Sequence, residues 1–326
     1  MQRQGPNKVS ITDPAGIPAI YARGSPTNKG PFYNINYPRE NLDMVRTRAE
    51  HARRRKHWDR ALTGDELRSY TPTIMKHTER LLTQIQKRVG QSVNAATWLD
   101  FFGFDVMFDL GFGKDMQRLN HGQEDFYVAC AHQTLKLIGL CMHAPWMMHF
   151  FSWVPRLGPR FQKFRAFSKN LVTERLENPR ERHDIFSFIS RTYDELSKKT
   201  SKDVDNLAGD ADLLVLAGSD SVAVATTNVL YQLALHPEEQ AKLREELRGV
   251  VDGRDLQIKG HVHLDAVINE SMRLNPTAPA GHERMTPPQG LQIGDTFVPG
   301  NVTVFVPNYR TFRGESHDLI DRGLCR

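Results

Sequence analysis

One short stretch of the chain carries residue types that can move protons. Residues Ala217–Ser221 (A-G-S-D-S) place a carboxyl group and two hydroxyl groups beside a glycine, inside an apolar run. A carboxyl group next to a hydroxyl group can hold a water molecule and relay protons. An acid among apolar residues needs a partner, a water molecule or a catalytic task. The segment is therefore either a catalytic helix with a local opening at Gly218-Ser219 or a buried helix with a structural aspartate.

A second candidate is an acid and an arginine that are three positions apart. Glu270 and Arg273 fall on one face of a helix, where their side chains can bond. Such pairs usually lie on surfaces and contribute little stability. Here the flanking residues are apolar, and Pro276 and Pro279 follow. This context favours a structural pair near the end of a helix.

A basic run forms a third candidate, at Arg53–Lys56 (R-R-R-K). The pattern indicates a helix from Met44 onward, on which His51 and Arg55 share one face and Trp58 follows on the same stripe. Most of these charges are typical of a solvated basic helix. The alternative is that one or two of them bind a buried anion.

The spacing of the acids and cysteines does not favour a metal site. Asp100, Asp105 and Asp109 recur at about one helical turn, which resembles a carboxylate ladder, but apolar residues flank each acid and no histidine joins the segment. A core helix is the better interpretation. The three cysteines are too far apart for a disulfide framework or a zinc site, which favours a reducing compartment. No metal site is predicted.

The elements that position these groups are predicted to be mostly helices. Leu213–Leu235 is an apolar helix with Asp220 as its one charge, and we expect Ser201–Asn206 to be a polar linker before it. After Gly281 the pattern changes to short strands, at 291–293, 296–298 and 302–306. The chain should therefore be mainly α-helical with a small, late β region.

Composition limits the classes of partner. The 326 residues include Lys+Arg 43 and Asp+Glu 38, a net charge of +5, and much of the excess lies in one run. Nucleic-acid binding is therefore not expected. Residues 137–154 contain no Asp, Glu, Lys or Arg and should form an apolar helix-turn-helix region that contacts a membrane surface. No signal peptide is indicated, because Met1–Asp13 is polar.

In chain order, these pieces resemble one family, the cytochromes P-450, and within it the fungal microsomal haem-thiolate monooxygenases. Each segment is similar to a family motif at the matching position, from about Gly5 to Glu315. The segments are His51–Arg55 ([WH]-x-x-x-R), Trp98–Phe112 (the E helix), Ala217–Ser221 (A-G-x-[DE]-T of the long central helix), Glu270–Arg273 (E-x-x-R) and Gly281–Pro288 (from P-x-G-x-x-R-x-T-P-P).

The resemblance implies a role for each matched residue. Asp220 and Ser221 would be catalytic, handling oxygen activation and protons, with Ser221 in place of the usual threonine. Glu270–Arg273 would be a structural pair under the haem. The expected cofactor is haem b, and the residues that would bind it are His51, Arg55, Gly218 and Arg284.

Other parts of the family pattern do not match. The membrane anchor, the haem-thiolate loop and the L helix have no counterpart, and the flanks of Cys325 do not fit that loop. We therefore expect a partial P-450 domain at residues 1–316, an unrelated tail at 317–326 and no axial cysteine. The haem's electron push for O–O cleavage comes from that thiolate.

Two functions follow from this comparison. The first is monooxygenation of a small apolar organic substrate with O2 and NAD(P)H-derived electrons, impaired by the missing loop. The alternative is a non-catalytic fragment from a truncated gene model. The resemblance implies NADPH-cytochrome P-450 reductase as partner and the endoplasmic reticulum membrane as location. Without an anchor, the chain as written would be cytoplasmic or peripheral, with membrane contact through 137–154.

Overall fold

A computed structural model describes residues 1–142, 144–151, 157–179, 184–248 and 260–314. Helices dominate these residues, as the sequence predicts. The described helices are α1 (Gly16–Tyr21), α2 (Arg48–Ala61), α3 (Gly64–Gln86), α4 (Ala95–Phe112), α5 (Arg118–His121), α6 (Phe126–Cys141), α7 (Met147–Phe151), α8 (Leu157–Glu177), α9 (Ile185–Ile189), α10 (Arg191–Asp194), α11 (Ser201–Leu235), α12 (Pro237–Leu247), α13 (Val262–Leu274) and α14 (Asn308–Phe312).

Seven short strands form two sheets among the described residues. They are β1 (Gln2–Gly5), β2 (Lys8–Ser10), β3 (Asn28–Lys29), β4 (Arg284–Met285), β5 (Leu291–Ile293), β6 (Thr296–Val298) and β7 (Thr303–Phe305). The first sheet has the order β1-β2-β7-β4-β3, with β2 and β7 parallel and the other pairs antiparallel. Strands β5 and β6 form a separate antiparallel hairpin. The late β region that the sequence predicts is confirmed, and its sheet also recruits the first residues of the chain.

The chain divides into two compact units. Unit 1 comprises Met1–Gly30 and Val224–Arg326, and unit 2 comprises Pro31–Ala223. Unit 1 holds both sheets around a small aliphatic core in which Ile11, Val304 and Val306 are almost fully buried. Unit 2 is helical and holds the largest cluster of buried side chains, which includes most of the aromatic face of α4.

Helix α4 is buried on nearly all sides, which explains its apolar composition. Asn94 caps its beginning by accepting a hydrogen bond from the backbone N–H of Thr97 at 3.3 Å. Gly113 ends it in the left-handed conformation (φ 67°) that glycine adopts without strain. Local sequence therefore sets both ends of α4, and burial holds its middle.

Helix α11 is longer than the sequence predicts, because Ser201–Asn206 is not a linker but its first turns. Thr200 and Asp203 form a capping arrangement in which Asp203 Oδ2 accepts hydrogen bonds from the backbone N–H (2.8 Å) and the hydroxyl (2.6 Å) of Thr200. This T-x-x-D pattern marks a helix start. By length and composition, α11 is also the one described helix that could cross a membrane, a test that core helices of soluble proteins pass as well.

Candidate functional site

Helices α4 and α11 approach each other closely where glycines face the partner helix. A Cβ atom on Gly103 would lie 2.8 Å from the carbonyl oxygen of Ser219 and 3.1 Å from its Cα. A Cβ atom on Gly218 would lie 2.6 Å from Cε of Met107. Glycine at position 103 therefore lets the two backbones meet, glycine at position 218 makes room for the Met107 side chain, and this crossing fixes the A-G-S-D-S segment against α4.

The A-G-S-D-S segment remains regular α-helix, so the predicted local opening at Gly218-Ser219 is not observed. The Ser219 hydroxyl donates a hydrogen bond to the carbonyl of Val215 at 2.6 Å, and the Ser221 hydroxyl donates to the carbonyl of Ala217 at 2.6 Å. These bonds to the preceding turn satisfy the hydroxyl donors without breaking the helix. Each hydroxyl oxygen keeps lone pairs with which it can accept a bond.

The carboxyl group of Asp220 is half-buried and faces another acid. Burial raises its pKa, the nearby carboxylate of Asp100 raises it further, and His132 opposes the rise. One oxygen of each acid and a ring nitrogen of His132 lie within 4.8 Å of one another. Among the described residues, no side chain bonds directly to the Asp220 carboxylate, and burial disfavours its charged form.

His132, on α6, bridges two carboxylates. Its Nε2 lies 3.3 Å from Oδ2 of Asp100, and its Nδ1 lies 2.8 Å from Oε1 of Glu124. These acids raise the pKa of His132 to about 9, with Asp100 the largest cause. The imidazole is therefore a cation at neutral pH. A metal would need the neutral ring, so the triad's metal-like spacing does not by itself make a metal site.

The expectation that no histidine joins the α4 acids is wrong. His132 joins Asp100, and His77 joins Asp109 with Nε2 at 3.0 Å from Oδ2. Both histidines come from other helices and lie 32 positions away in the sequence. A search within the α4 segment could not find them, because only packing brings them close.

The remaining α4 acids organise neighbouring backbone and side chains. Asp105 accepts hydrogen bonds from the backbone N–H groups of Arg118 (3.1 Å) and Leu119 (3.0 Å), which start α5. Asp109 binds the buried ring of His77. These contacts agree with the interpretation of α4 as a core helix.

A second group with metal-like spacing consists of His77, Asp105 and Asp115. Arg80 donates to both oxygens of Asp115, at 2.8 and 3.0 Å, and Lys76 lies 2.7 Å from Asp115. These cations hold the pKa of Asp115 well below its usual range, with Arg80 the largest cause. The negative charge that would attract a metal is therefore already neutralised.

On the basic helix, α2, the buried arginine is Arg54 and not Arg55. Arg54 forms an ion pair with Asp210 and donates to the carbonyl of Glu40 at 3.1 Å. Arg55 is exposed and pairs with Asp59 at 2.6 Å. Trp58 is buried four positions after Arg54, so the buried face is turned by one residue from the predicted one. One cation does bind a buried anion, and that anion is a carboxylate of this chain.

The other predicted cofactor residues lie in different units. His51 is half-buried on α2 in unit 2. Arg284 is half-buried on β4 in unit 1, where it donates to the carbonyl of Glu283 at 2.9 Å and lies over the ring of Tyr21 at 5.6 Å. The backbone turn before β4 requires Gly281, whose φ is 76°.

On α2, the indole nitrogen Nε1 of Trp58 is buried and has no hydrogen-bond partner among the described residues.

The predicted Glu270–Arg273 pair forms with two parallel bonds. Nε and Nη2 of Arg273 each lie 2.7 Å from a different oxygen of Glu270, and this pairing lowers the pKa of Glu270. Arg273 Nη1 also donates to the carbonyl of Phe312 at 2.7 Å. The pair thus ties α13 to the end of α14 within unit 1.

The apolar 137–154 region is described in part. Helix α6 ends at Cys141 and α7 begins at Met147, so the described part is the predicted helix-turn-helix. Its exposed large side chains are Leu140, Trp146 and Phe150. Residues 143 and 152–154 lie outside the described residues, as do Cys325 and the predicted tail at 317–326.

Comparison with known proteins identifies relatives over nearly the whole chain. The sequence model of the family "Cytochrome P450" matches residues 5–317. The chain is 37% identical to the cytochrome P450 monooxygenase FCK2 of Fusarium pseudograminearum, over 96% of this chain and 58% of the relative. It is 34% identical to the cytochrome P450 monooxygenase orf5 of Eupenicillium brefeldianum (95% and 63%) and 31% identical to a tryprostatin B 6-hydroxylase of Aspergillus fumigatus (96% and 57%). The chain thus spans about three fifths of the length of these relatives.

Proposed function

Because the chain belongs to the cytochrome P450 family, we propose that it contributes the distal part of a haem-dependent monooxygenase acting on a small apolar organic substrate. The observation that carries this proposal is the position of Asp220 and Ser221 on α11. A half-buried acid with a raised pKa stands beside a hydroxyl group on one continuous helix. Groups tuned in this way are suited to handing protons to a reacting centre.

The chemistry that the chain's own residues can perform is proton transfer and anion binding. Burial and the nearby carboxylate of Asp100 raise the pKa of Asp220, which favours its protonated form and makes it a candidate proton donor. Ser221 is proposed to hold a water molecule with its free lone pairs. Arg284, Arg55 and His51 are the proposed cationic partners of the haem propionates, and Gly218 remains a proposed haem-binding residue from the family resemblance alone.

The residues proposed to bind the haem suit its propionates, but the described residues offer no thiolate ligand for its iron. The cationic groups suit propionates, and the unpaired N–H of buried Trp58 could donate to the same kind of acceptor. Haem supplies oxygen activation when a thiolate is bound to its iron. Among the described residues, however, the cysteines are Cys130 and Cys141, both buried in α6. Neither cysteine lies on a loop from which its sulfur could bind the iron, so we derive no step through the iron.

Substrate and partner follow from the relatives as proposals. One relative's name states that it hydroxylates tryprostatin B, at position 6. This supports an organic small molecule of fungal secondary metabolism as the substrate class. A flavoprotein of the NADPH-cytochrome P-450 reductase type is the proposed electron donor, approaching a basic surface. The endoplasmic reticulum membrane is the proposed location, with contact through the exposed apolar side chains of 137–154.

A second candidate is a non-catalytic fragment of the family. The observation that favours it is that both described cysteines are buried in α6, where they cannot reach an iron without unfolding. In this case the helices would fold around their own core, and no haem-thiolate chemistry would follow.

Haem uptake separates the two candidates. The purified chain is mixed with haem, reduced and treated with carbon monoxide, and the difference spectrum is recorded. An absorption band at the position typical of a thiolate ligand supports the monooxygenase, and Arg284→Ala should weaken haem binding. Absence of haem uptake by the folded chain, as judged by circular dichroism, would rule out the proposed enzyme and support the fragment.

A further inference from the structure

Four titratable residues form a cluster of which the proposed function uses only Asp220. This acid–imidazole cluster consists of Asp100 on α4, Glu124 just before α6, His132 on α6 and Asp220 on α11. The ring of His132 binds Asp100 with Nε2 and Glu124 with Nδ1, at 3.3 and 2.8 Å. Asp220 lies within 4.8 Å of both the ring and Asp100. The cluster thus runs from α11 to a residue at the surface.

Packing fixes the positions of these groups. The close approach of Gly103 to Ser219 holds α4 against α11, one turn after Asp100 and one residue before Asp220. The ring of Phe104 meets the ring of His132 edge to face, with centroids 5.9 Å apart. Phe104 is fully buried, so it presents a fixed surface to the imidazole. The contact between His132 and Asp100 is therefore set by helix packing.

Solvent reaches only one end of the cluster freely. The side chain of Glu124 is 46% exposed, that of His132 is 32% exposed and that of Asp100 is 15% exposed. Asp220 is half-buried. A proton that enters from water would therefore meet Glu124 first, then the imidazole, then the two aspartates.

The charges in the cluster depend on one another. The charged groups that shift the pKa of Asp220 are Asp100 and His132, and those that shift the pKa of His132 are Asp100 and Glu124. No lysine or arginine is among them. Two carboxylates at this distance repel each other, and the imidazolium is the cation that offsets the repulsion.

We propose that His132 is the positioning residue for Asp220: its imidazolium offsets the charges of the Asp220 and Asp100 carboxylates, and it exchanges protons with solvent through Glu124. A catalytic role for this relay rests on the proposed function, whereas the positions of the four side chains do not. Its chemistry is a balanced relay. The imidazolium gives its Nε2 proton to the aspartate pair, directly to Asp100 or through one water to Asp220, which leaves a neutral ring with its remaining proton on Nδ1. Exchange with water moves that proton to Nε2, and the freed Nδ1 then takes a proton that Glu124 received from solvent. One proton moves inward and the imidazolium is restored.

The first test is an NMR titration of the histidine rings in the full-length chain. Resonances of His132 are assigned with His132→Gln, and those of the exposed His121 serve as a control. His132 should titrate with a pKa of about 9. Asp100→Asn should lower this pKa toward the ordinary 6.5 and Glu124→Gln should lower it less, while His121 should not respond.

The second test follows the carboxyl group of Asp220, with ¹³C-labelled aspartate and assignment by Asp220→Asn. His132→Gln should raise the pKa of Asp220, because the offsetting cation is lost. His132→Lys should restore it, because a lysine keeps the charge. A structural role alone would predict no such rescue. If the charge of residue 132 leaves the titration of Asp220 unchanged, the proposal is overturned.

Two further outcomes are decisive. A His132 pKa at the ordinary 6.5 would show that the ring is not held by the carboxylates and would end the proposal. Displacement of the His132 proton by micromolar Zn²⁺ at neutral pH would show a metal site instead and would also overturn it. Neither readout needs haem, so a failure of haem uptake would count against the proposed function and leave this assignment in place.

Discussion

The acidic residues of α4 are all aspartates, but they bind different partners and therefore have different roles. Asp105 binds backbone N–H groups and Asp109 binds the buried ring of His77. Asp100 meets the cationic ring of His132, which also faces Asp220. The first two acids are fixed by their bonds. Asp100 and Asp220 instead face each other across a cationic ring, and the pKa of Asp220 is raised by burial and by Asp100.

The raised pKa of His132 predicts a pH dependence of stability. A histidine whose pKa is higher in the folded state than in the unfolded state stabilises the fold fully below pH 6.5 and loses that contribution as the pH rises through about 9. We expect the free energy of unfolding to fall by about 1–2 kcal/mol over this window, after allowance for solvent screening. Urea titrations at several pH values measure it. The variant His132→Gln should show a flatter profile, and an equal slope in both proteins would contradict the assignment.

The two neighbouring arginines of α2 provide a matched pair of substitutions. Arg54→Met leaves the buried carboxylate of Asp210, whose pKa burial already raises, without its partner, and should cost about 3–5 kcal/mol. Arg55→Met removes an exposed pair with Asp59 and should cost less than about 1 kcal/mol. Chemical denaturation compares them. Equal losses would mean that the buried face of α2 has been assigned wrongly.

At the scale of elements, the crossing of α4 and α11 is the contact on which the candidate site depends. A Cβ atom at position 103 would collide with the backbone of Ser219, whereas a Cβ atom at position 218 would collide with the flexible side chain of Met107. Backbone cannot move away without shifting a helix, but a methionine can change its rotamers. The two glycines are therefore not equivalent.

This difference predicts unequal costs for alanine at the two positions. Gly103→Ala should destabilise unit 2 by about 1–3 kcal/mol, because the added methyl group overpacks the crossing. Gly218→Ala should change stability little, since a gain of about 1 kcal/mol in helix propensity offsets the shift of Met107. Thermal unfolding monitored by circular dichroism compares the two. A larger loss for Gly218→Ala would contradict the packing described.

Helix ends in this protein follow local signals where a cap is present. Thr200 and Asp203 start α11, and Asn94 and Gly113 bound α4. The polar composition of Ser201–Asn206 favours a linker, whereas the cap formed by Thr200 and Asp203 indicates the start of a helix. Polar residues further along α11 do face inward, including Asp210, which pairs with Arg54.

At the scale of the whole molecule, each unit has a core of its own. Buried aliphatic residues such as Val304 hold the sheets of unit 1, and an aromatic cluster around Phe108 holds unit 2. Phe108 contacts the rings of Tyr127 and Phe112 at 4.7 and 5.5 Å between centroids. The family match over residues 5–317 includes the residues of both cores.

Thiol reactivity should report the opening of unit 2. Cys130 and Cys141 are 3% and 0% exposed, so a thiol reagent should label them only when the unit opens. Phe108→Ala should cost about 3 kcal/mol or more and speed labelling about 100-fold. Mass spectrometry of labelled peptides identifies the sites. Rapid labelling of Cys141 in the unaltered chain would contradict the described burial.

The sequence alone determined the family, the mainly helical fold and the acid–hydroxyl segment of α11, because these are written in short, contiguous patterns. Helical spacing also sufficed for Glu270–Arg273, since residues three apart share a face whatever else surrounds them. Local patterns therefore found the pairs and segments whose residues lie close together in the sequence, but not which face of α2 is buried.

Tertiary structure alone decided which partners the charged residues have. That Arg54 rather than Arg55 is buried depends on Asp210, more than 150 positions away, and that His132 joins Asp100 and Asp220 depends on three helices meeting. The physical reason is that burial and pKa depend on distances in space. No periodicity along the chain encodes such distances until the helices pack, and it is this packing that converts a row of acids into a candidate proton path.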